Sequence, residues 1–128
     1  MKISELPWSF PEPRPHYPEL YVTGVGQDGD LAKRLISEGV SIVFSALPDS
    51  PASQIEEDLA MSGLVVISHS TIHRHSEKVP LIVPEVNNGH LKLTDSQTEY
   101  EGGMLVSCSN CMVVPLAISL APLIRSLP

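Results

Sequence analysis

A chain of 128 residues with 15 Asp and Glu against eight Lys and Arg carries a formal net charge of -7. It has no basic patch with which to neutralise the phosphates of a duplex, though one or two placed cations would suffice for a small anionic substrate. An apolar fraction of 42% and a charged fraction of 18% exclude a disordered chain, and the length allows one domain around one core.

Pro7, Pro11, Pro13, Pro15 and Pro18 crowd the start of the chain, so 1–18 is expected to run extended or as polyproline II, with no helix of its own. Leu20–Thr23 reads as a short strand that stops at Gly24 and Gly26. Asp30 then caps a helix over Leu31–Glu38, with Leu31, Leu35 and Ile36 turned inward and Gly39 ending it. The nearly continuous apolar run Val40–Leu47 suits a strand buried on both faces, as in a parallel sheet. Ser50 as N-cap and Pro51 at the first helical position open the next helix, which continues to Met61. Ala52, Ile55 and Leu59 face its interior side, Glu56, Glu57 and Asp58 form a solvated face, and Gly63 stops it.

Leu64–Ile67 reads as another buried strand, Ser68–Lys78 as a polar loop, and Val79–Val83 as a further strand. Met104–Val106 is a third strongly apolar strand, feeding Cys108-Ser109-Asn110-Cys111 and then a helix over 110–126. Strands alternating with helices argue for an α/β fold with right-handed crossovers. No apolar h-region follows Met1. The longest apolar stretch, Met112–Ile124, is broken by Pro115, Ser119 and Pro122 and is too short to span a bilayer. A soluble, cytoplasmic protein is the expectation.

Cys111 is the candidate nucleophile. It lies between the end of a buried strand and the start of a helix, where α/β proteins place ligands and where a thiolate is favoured. Against this stands the tendency of any lone cysteine to fill a core. Cys108 and Cys111 also make a C-x-x-C, compatible with a redox pair or with half a zinc site completed from His69, His73, His75 or His90. Arg74, inside the histidine-rich stretch, offers a planar fork for a carboxylate or phosphate, or is part of a hydrated loop. Gly24-Val25-Gly26 is read as a loop and not as a phosphate-binding fingerprint.

Taken together, Val43-Phe44-Ser45-Ala46-Leu47-Pro48, Val66-Ile67-Ser68-His69-Ser70-Thr71-Ile72-His73-Arg74, Val79–Asn87 with His90-Leu91, and Ser109-Asn110-Cys111 occur in one order over residues 40–125. In that order they resemble the archaeal and fungal-type branch of the aspartate-semialdehyde dehydrogenases. The resemblance implies an incomplete Rossmann-like parallel sheet with flanking helices, lacking the first strand-helix unit. It also implies NADPH-dependent reductive dephosphorylation of L-aspartyl-4-phosphate to L-aspartate 4-semialdehyde through a thioacyl enzyme, in the biosynthesis of lysine, methionine and threonine. In this reading Cys111 is catalytic, Arg74 and Asn110 hold the phosphate, and Ser45, Ala46, Leu47, Pro48, Ser68 and Thr71 face NADP. No metal is implied.

This sequence departs from the family pattern at His69, where Asn is usual, at Met112, and at Cys108-Ser109. The glycine-rich fingerprint is expected upstream of Met1, and a substrate-clamping Arg and general-base His downstream of Pro128. The chain is therefore expected to be inactive alone, with an unpaired sheet edge and self-association or a complementing chain as its partner. Reduction of malonyl-CoA by the same cysteine chemistry is the alternative within this class. A non-catalytic zinc-binding or interaction module is the alternative outside it.

Overall fold

The computed structural model describes residues 1–16, 21–25 and 31–127. Four strands, β1 (Ile42–Ser45), β2 (Val65–Ser68), β3 (Leu81–Ile82) and β4 (Met104–Cys108), form one sheet in the order β1-β2-β4-β3. All of its pairings are parallel. The helices are α1 (Leu31–Ser37), α2 (Asp49–Met61), the single turn α3 (Pro84–Asn87) and α4 (Val113–Ser126). This is the α/β, Rossmann-like arrangement expected from the alternation of apolar runs and amphipathic segments.

The core forms where α1 and α2 cover the inner strands. Ala32, Leu59, Ala60, Leu64, Val66, Val79, Tyr100 and Leu105 make one buried cluster, with Leu31, Leu35, Val43 and Ile55 packed against it. Ile36, expected inside, is 48% exposed; Ala32 takes the buried position on that face of α1. The expected Asp30 cap lies outside the described residues. Gly39, at φ +78°, ends the helix as expected, in the left-handed backbone that glycine adopts without strain.

α2 starts two residues before its expected first position, Pro51. Asp49 is its first residue and Pro48, not Ser50, occupies the cap. Pro51 is tolerated in this first turn because its missing N–H would have found no helical acceptor; the first helical bond runs from Ala52 N–H to the Pro48 carbonyl. Glu56 overturns the expectation of a wholly solvated acidic face. It is completely buried, alongside Ala52, Leu59 and Ala60.

Gly103 fixes the approach of β4 to the end of α2. A Cβ there would lie 2.0 Å from the Ala60 carbonyl oxygen and 2.9 Å from that of Leu64, so backbone would have to move. Gly103→Ala is expected to lower stability by about 2–3 kcal/mol, measurable by urea unfolding; an unchanged midpoint would refute this close packing. Next to it, Gln97 substitutes for a missing strand. Its buried side chain donates to the carbonyls of Lys78 and Leu105 and accepts from Leu105 N–H.

Two faces are left without cover among the described residues. β1 pairs on one edge only, and Phe44 is 76% exposed with Ile42 also outward. The sequence reading of this strand as buried on both faces is thereby corrected: composition marked it as interior, but no layer packs on its outer side. α4 has no buried residue at all, although Leu116, Ile118, Leu120, Leu123 and Ile124 lie along it, all exposed.

The remaining boundaries differ modestly. The strand expected at Leu20–Thr23 reduces, in its described part, to a single antiparallel bridge between Lys2 and Tyr21; Leu20 lies outside the described residues. The proline-rich lead is not wholly extended. A 3-10 turn forms at Ile3–Glu5, and Arg14 donates to the carbonyls of Ile3, Ser4 and Leu6 while stacking over Trp8. The strand expected over Val79–Val83 is confined to Leu81–Ile82. Helix α4 begins at Val113 rather than 110, because Asn110–Met112 form the turn that precedes it.

Candidate active site

Parallel pairing sends β1, β2 and β4 out of the sheet at the same end. Ser45 pairs with Ser68, and Ser68 with Ser107, so the segments Ala46–Pro48, His69–Arg74 and Ser109–Cys111 emerge side by side at the carboxyl edge, the usual ligand-binding edge of an open α/β sheet.

Cys111 sits in the last of these turns, exposed and two residues ahead of α4. Asn110 builds the turn. Its side-chain oxygen accepts from Met112 N–H at 2.8 Å, and its carbonyl accepts from Val113 and Val114 N–H. Cys108 is half-buried, and burial pushes its thiol up against the opposing pull of Arg74. The two cysteines are thus unequal: one is open to solvent, the other is disfavoured as a thiolate.

Arg74 lies across the ends of two strands. Its Nε donates to the Cys108 carbonyl at 3.2 Å and its Nη2 to the His69 carbonyl at 2.9 Å. The cation is therefore fixed beside the cysteine-bearing turn, as the pairing of Arg74 with Cys111 in one site requires. His69 takes part through its backbone, its N–H donating to the Ser45 carbonyl at 2.9 Å; its ring is exposed.

Ser45, Ala46, Leu47 and Pro48 follow the edge strand, and a groove of about 370 Å³ along it is lined by Val43, Phe44, Ser45, Ala46 and Leu47, among others. The Ser45 hydroxyl is buried without a protein partner there. Ser68 is buried, its hydroxyl accepting from Ser70 N–H. Thr71 is exposed, with its N–H and hydroxyl both on Asp49.

Asp49 and Glu56 are the two site-supporting residues that the sequence reading missed. Asp49 also accepts from the Ser70 hydroxyl at 2.5 Å, and the hydroxyls of Ser70 and Thr71, helped by backbone N–H groups, hold its carboxyl down at about 2. An acid in the first turn of a helix is a visible signal. A carboxyl held below its unfolded value of 3.8 adds stability above that value and loses it as the pH falls from about 4 toward about 2. Asp49→Asn is expected to remove this part of the acid sensitivity. Thermal midpoints measured from pH 5 to pH 2 would check it, and parallel curves for the two proteins would count against the clasp.

Among the described residues no three His, Cys, Asp or Glu side chains gather into a metal-binding group. The histidines weighed for zinc go elsewhere: His73 is on Glu56, His90 is on Asn87, and His69 and His75 are exposed. Among the described residues no helix is long and apolar enough to cross a membrane.

Residues 17–94 match the family described as semialdehyde dehydrogenase, NAD binding domain. The chain belongs to that family. The aspartate-semialdehyde dehydrogenase of Archaeoglobus fulgidus is 44% identical over 84 residues, which cover 64% of this chain and 24% of that protein. The NADP malonyl-CoA reductase of Metallosphaera sedula is 37% identical over 93 residues, 71% of this chain and 26% of that protein. The structure of the Candida albicans aspartate-semialdehyde dehydrogenase with NADP superposes with a TM-score of 0.60 at 31% identity, over 67% of this chain and 26% of that one. This semialdehyde dehydrogenase domain thus spans about a quarter of the length of these relatives.

Proposed function

We propose that this semialdehyde dehydrogenase domain carries the cysteine nucleophile and one flank of the cofactor cleft of an aspartate-semialdehyde dehydrogenase. The observation that carries the reading is Arg74, fixed by two strand-end carbonyls beside the Asn110-Cys111 turn.

In this reading the Cys111 thiolate attacks the acyl carbon of L-aspartyl-4-phosphate. The C–O bond to phosphate breaks, inorganic phosphate leaves, and a thioester remains on Sγ. Arg74 and the Asn110 side-chain amide bind the phosphate, and the guanidinium offsets charge on the leaving group. The groove beside β1, with the unpartnered Ser45 hydroxyl, fits one side of a nicotinamide cofactor, which Ser45 at the end of β1 and Ala46–Pro48 after it would hold together with Ser68 at the end of β2 and Thr71 in the loop that follows. NADPH, when bound, supplies the hydride that takes the thioester to a thiohemiacetal, from which the aldehyde departs and the thiol is restored. The apolar and uncovered β1 edge and α4 support a chain that turns over substrate only with a complementing portion.

The likeness to malonyl-CoA reductase supports a second reading, in which the leaving group is a thiol rather than phosphate and Cys111 keeps its role. Alkylation rates of Cys111 and Cys108, followed separately by mass spectrometry against pH, test the common core. Cys111 is expected to react first across the neutral range; preferential reaction of Cys108 would overturn the assignment. Protection of Cys111 by inorganic phosphate, and not by coenzyme A, would favour the acyl-phosphate substrate.

A further inference from the structure

The segment 69–76 carries Arg74, yet it is a loop with no strand or helix to stiffen it. Its backbone is tied to the sheet at its first residue, where His69 N–H donates to the Ser45 carbonyl at 2.9 Å, and beyond that forms local turns, from Arg74 N–H to the Thr71 carbonyl at 3.2 Å and from Ser76 N–H to the His73 carbonyl at 3.1 Å. Between His69 and Arg74 the side-chain holds come from α2. At the start of that helix Asp49 holds Ser70 and Thr71. Two turns further along, Glu56 meets His73, with Glu56 Oε2 2.9 Å from His73 Nε2 and side chains 0% and 6% exposed. Seven residues make two helical turns, so the two carboxylates share one face about 10 Å apart. The loop lies along that face, pegged at Ser70-Thr71 and again at His73.

We infer that Asp49 and Glu56 are positioning residues for Arg74: the acidic face of α2 holds the 69–76 loop so that the guanidinium reaches across to the Cys108 carbonyl beside the nucleophile turn. Glu56 is the inner peg. A carboxylate in a fully buried position is costly unless a cation meets it, and the His73 ring is the group set against it, with Nε2 2.9 Å from Oε2 in an ion-pair contact without hydrogen-bond geometry. His73 directly precedes Arg74, so releasing the ring frees the backbone from which the guanidinium is projected. Asp49 is the outer peg, on an exposed stretch, and holds the entry of the loop. Nothing in this arrangement touches a reacting atom; both acids act through Arg74. The inference rests on the reading of Arg74 as the phosphate-binding residue only for its purpose, since the pegs themselves are geometric.

The test is selective arginine modification with phenylglyoxal on the full chain, read residue by residue by mass spectrometry, with and without inorganic phosphate. Arg34 on α1 and Arg125 on α4 serve as internal controls. In Glu56→Gln, Arg74 is expected to react ~10-fold faster or more and to lose its protection by phosphate, while Arg34 and Arg125 keep their rates. Unchanged Arg74 reactivity would overturn the inference. So would a parallel rise at all three arginines, which would make the pair an element of global stability and nothing more. Should Glu56→Gln not fold, Asp49→Asn, altered at an exposed helix start, is expected to give a smaller selective rise at Arg74, and its absence would overturn the inference equally. Absence of phosphate protection in the unmodified chain, with the selective rise in Glu56→Gln intact, would instead refute the phosphate-binding reading and leave the pegs standing.

Discussion

Replacing Cys111 with serine is expected to reduce acylation of this chain by an acyl phosphate by ~10³-fold or more. The half-reaction needs no cofactor: the thiolate displaces phosphate and the acyl group stays on sulfur, where it adds a measurable mass. An alcohol in the same turn cannot substitute, because its oxygen stays protonated near neutral pH while a thiol is partly ionised. The unmodified chain should gain one acyl group at Cys111 on treatment with acetyl phosphate, a small stand-in for the substrate. Cys108→Ser should retain that gain, since Cys108 is half-buried and its thiol is held up by burial. Equal acylation of the Cys111→Ser chain would remove the nucleophile from this site altogether.

His73→Ala is expected to destabilise the chain by about 3–5 kcal/mol. The cost comes less from the lost contact than from the Glu56 carboxyl group that stays behind, fully buried with the ring that faced it removed. For a domain whose whole stability is about 5–15 kcal/mol, that is from about a fifth of the total upward. Changing both partners to apolar residues of similar volume, as in Glu56→Leu with His73→Phe, is expected to recover most of the loss. Urea unfolding followed by circular dichroism would measure all three proteins. A His73→Ala midpoint close to the unmodified one would show that water reaches Glu56.

Much of this architecture was readable from the chain. The apolar runs at Val43–Phe44, Val65–Ile67 and Met104–Val106 became strands in one parallel sheet, and Gly39 and Gly63 ended the helices that precede β1 and β2, both at positive φ. The Asn-Cys turn and Arg74 came together at one end of the sheet, as their positions after strands implied.

The failures have a common cause: residue type reports what a side chain prefers, and burial depends on what packs against it. Phe44 reads as interior and is open because, among the described residues, no layer packs on the outer face of β1. Glu56 reads as solvent-facing and is sealed because it stands in line with Ala52 and Leu59, at the four- and three-residue steps of a buried helical stripe. That spacing could have revealed it, had the charge not been taken as decisive. The Asp49 clasp was less accessible, since its partners Ser70 and Thr71 are some twenty residues away in sequence and only the fold brings them near.

The bare surface of α4 also bears on when the chemistry can start. The carbonyl of Asn110 is held by Val113 and Val114 N–H, the first residues of α4, so the turn presenting Cys111 is only as orderly as that helix. A helix of this length gains little from its own hydrogen bonds in water, and this one is further interrupted by Pro122. A cover over its apolar sides is therefore expected to steady the turn that carries Cys111 and to raise the thiol's reactivity above the level the uncovered chain shows.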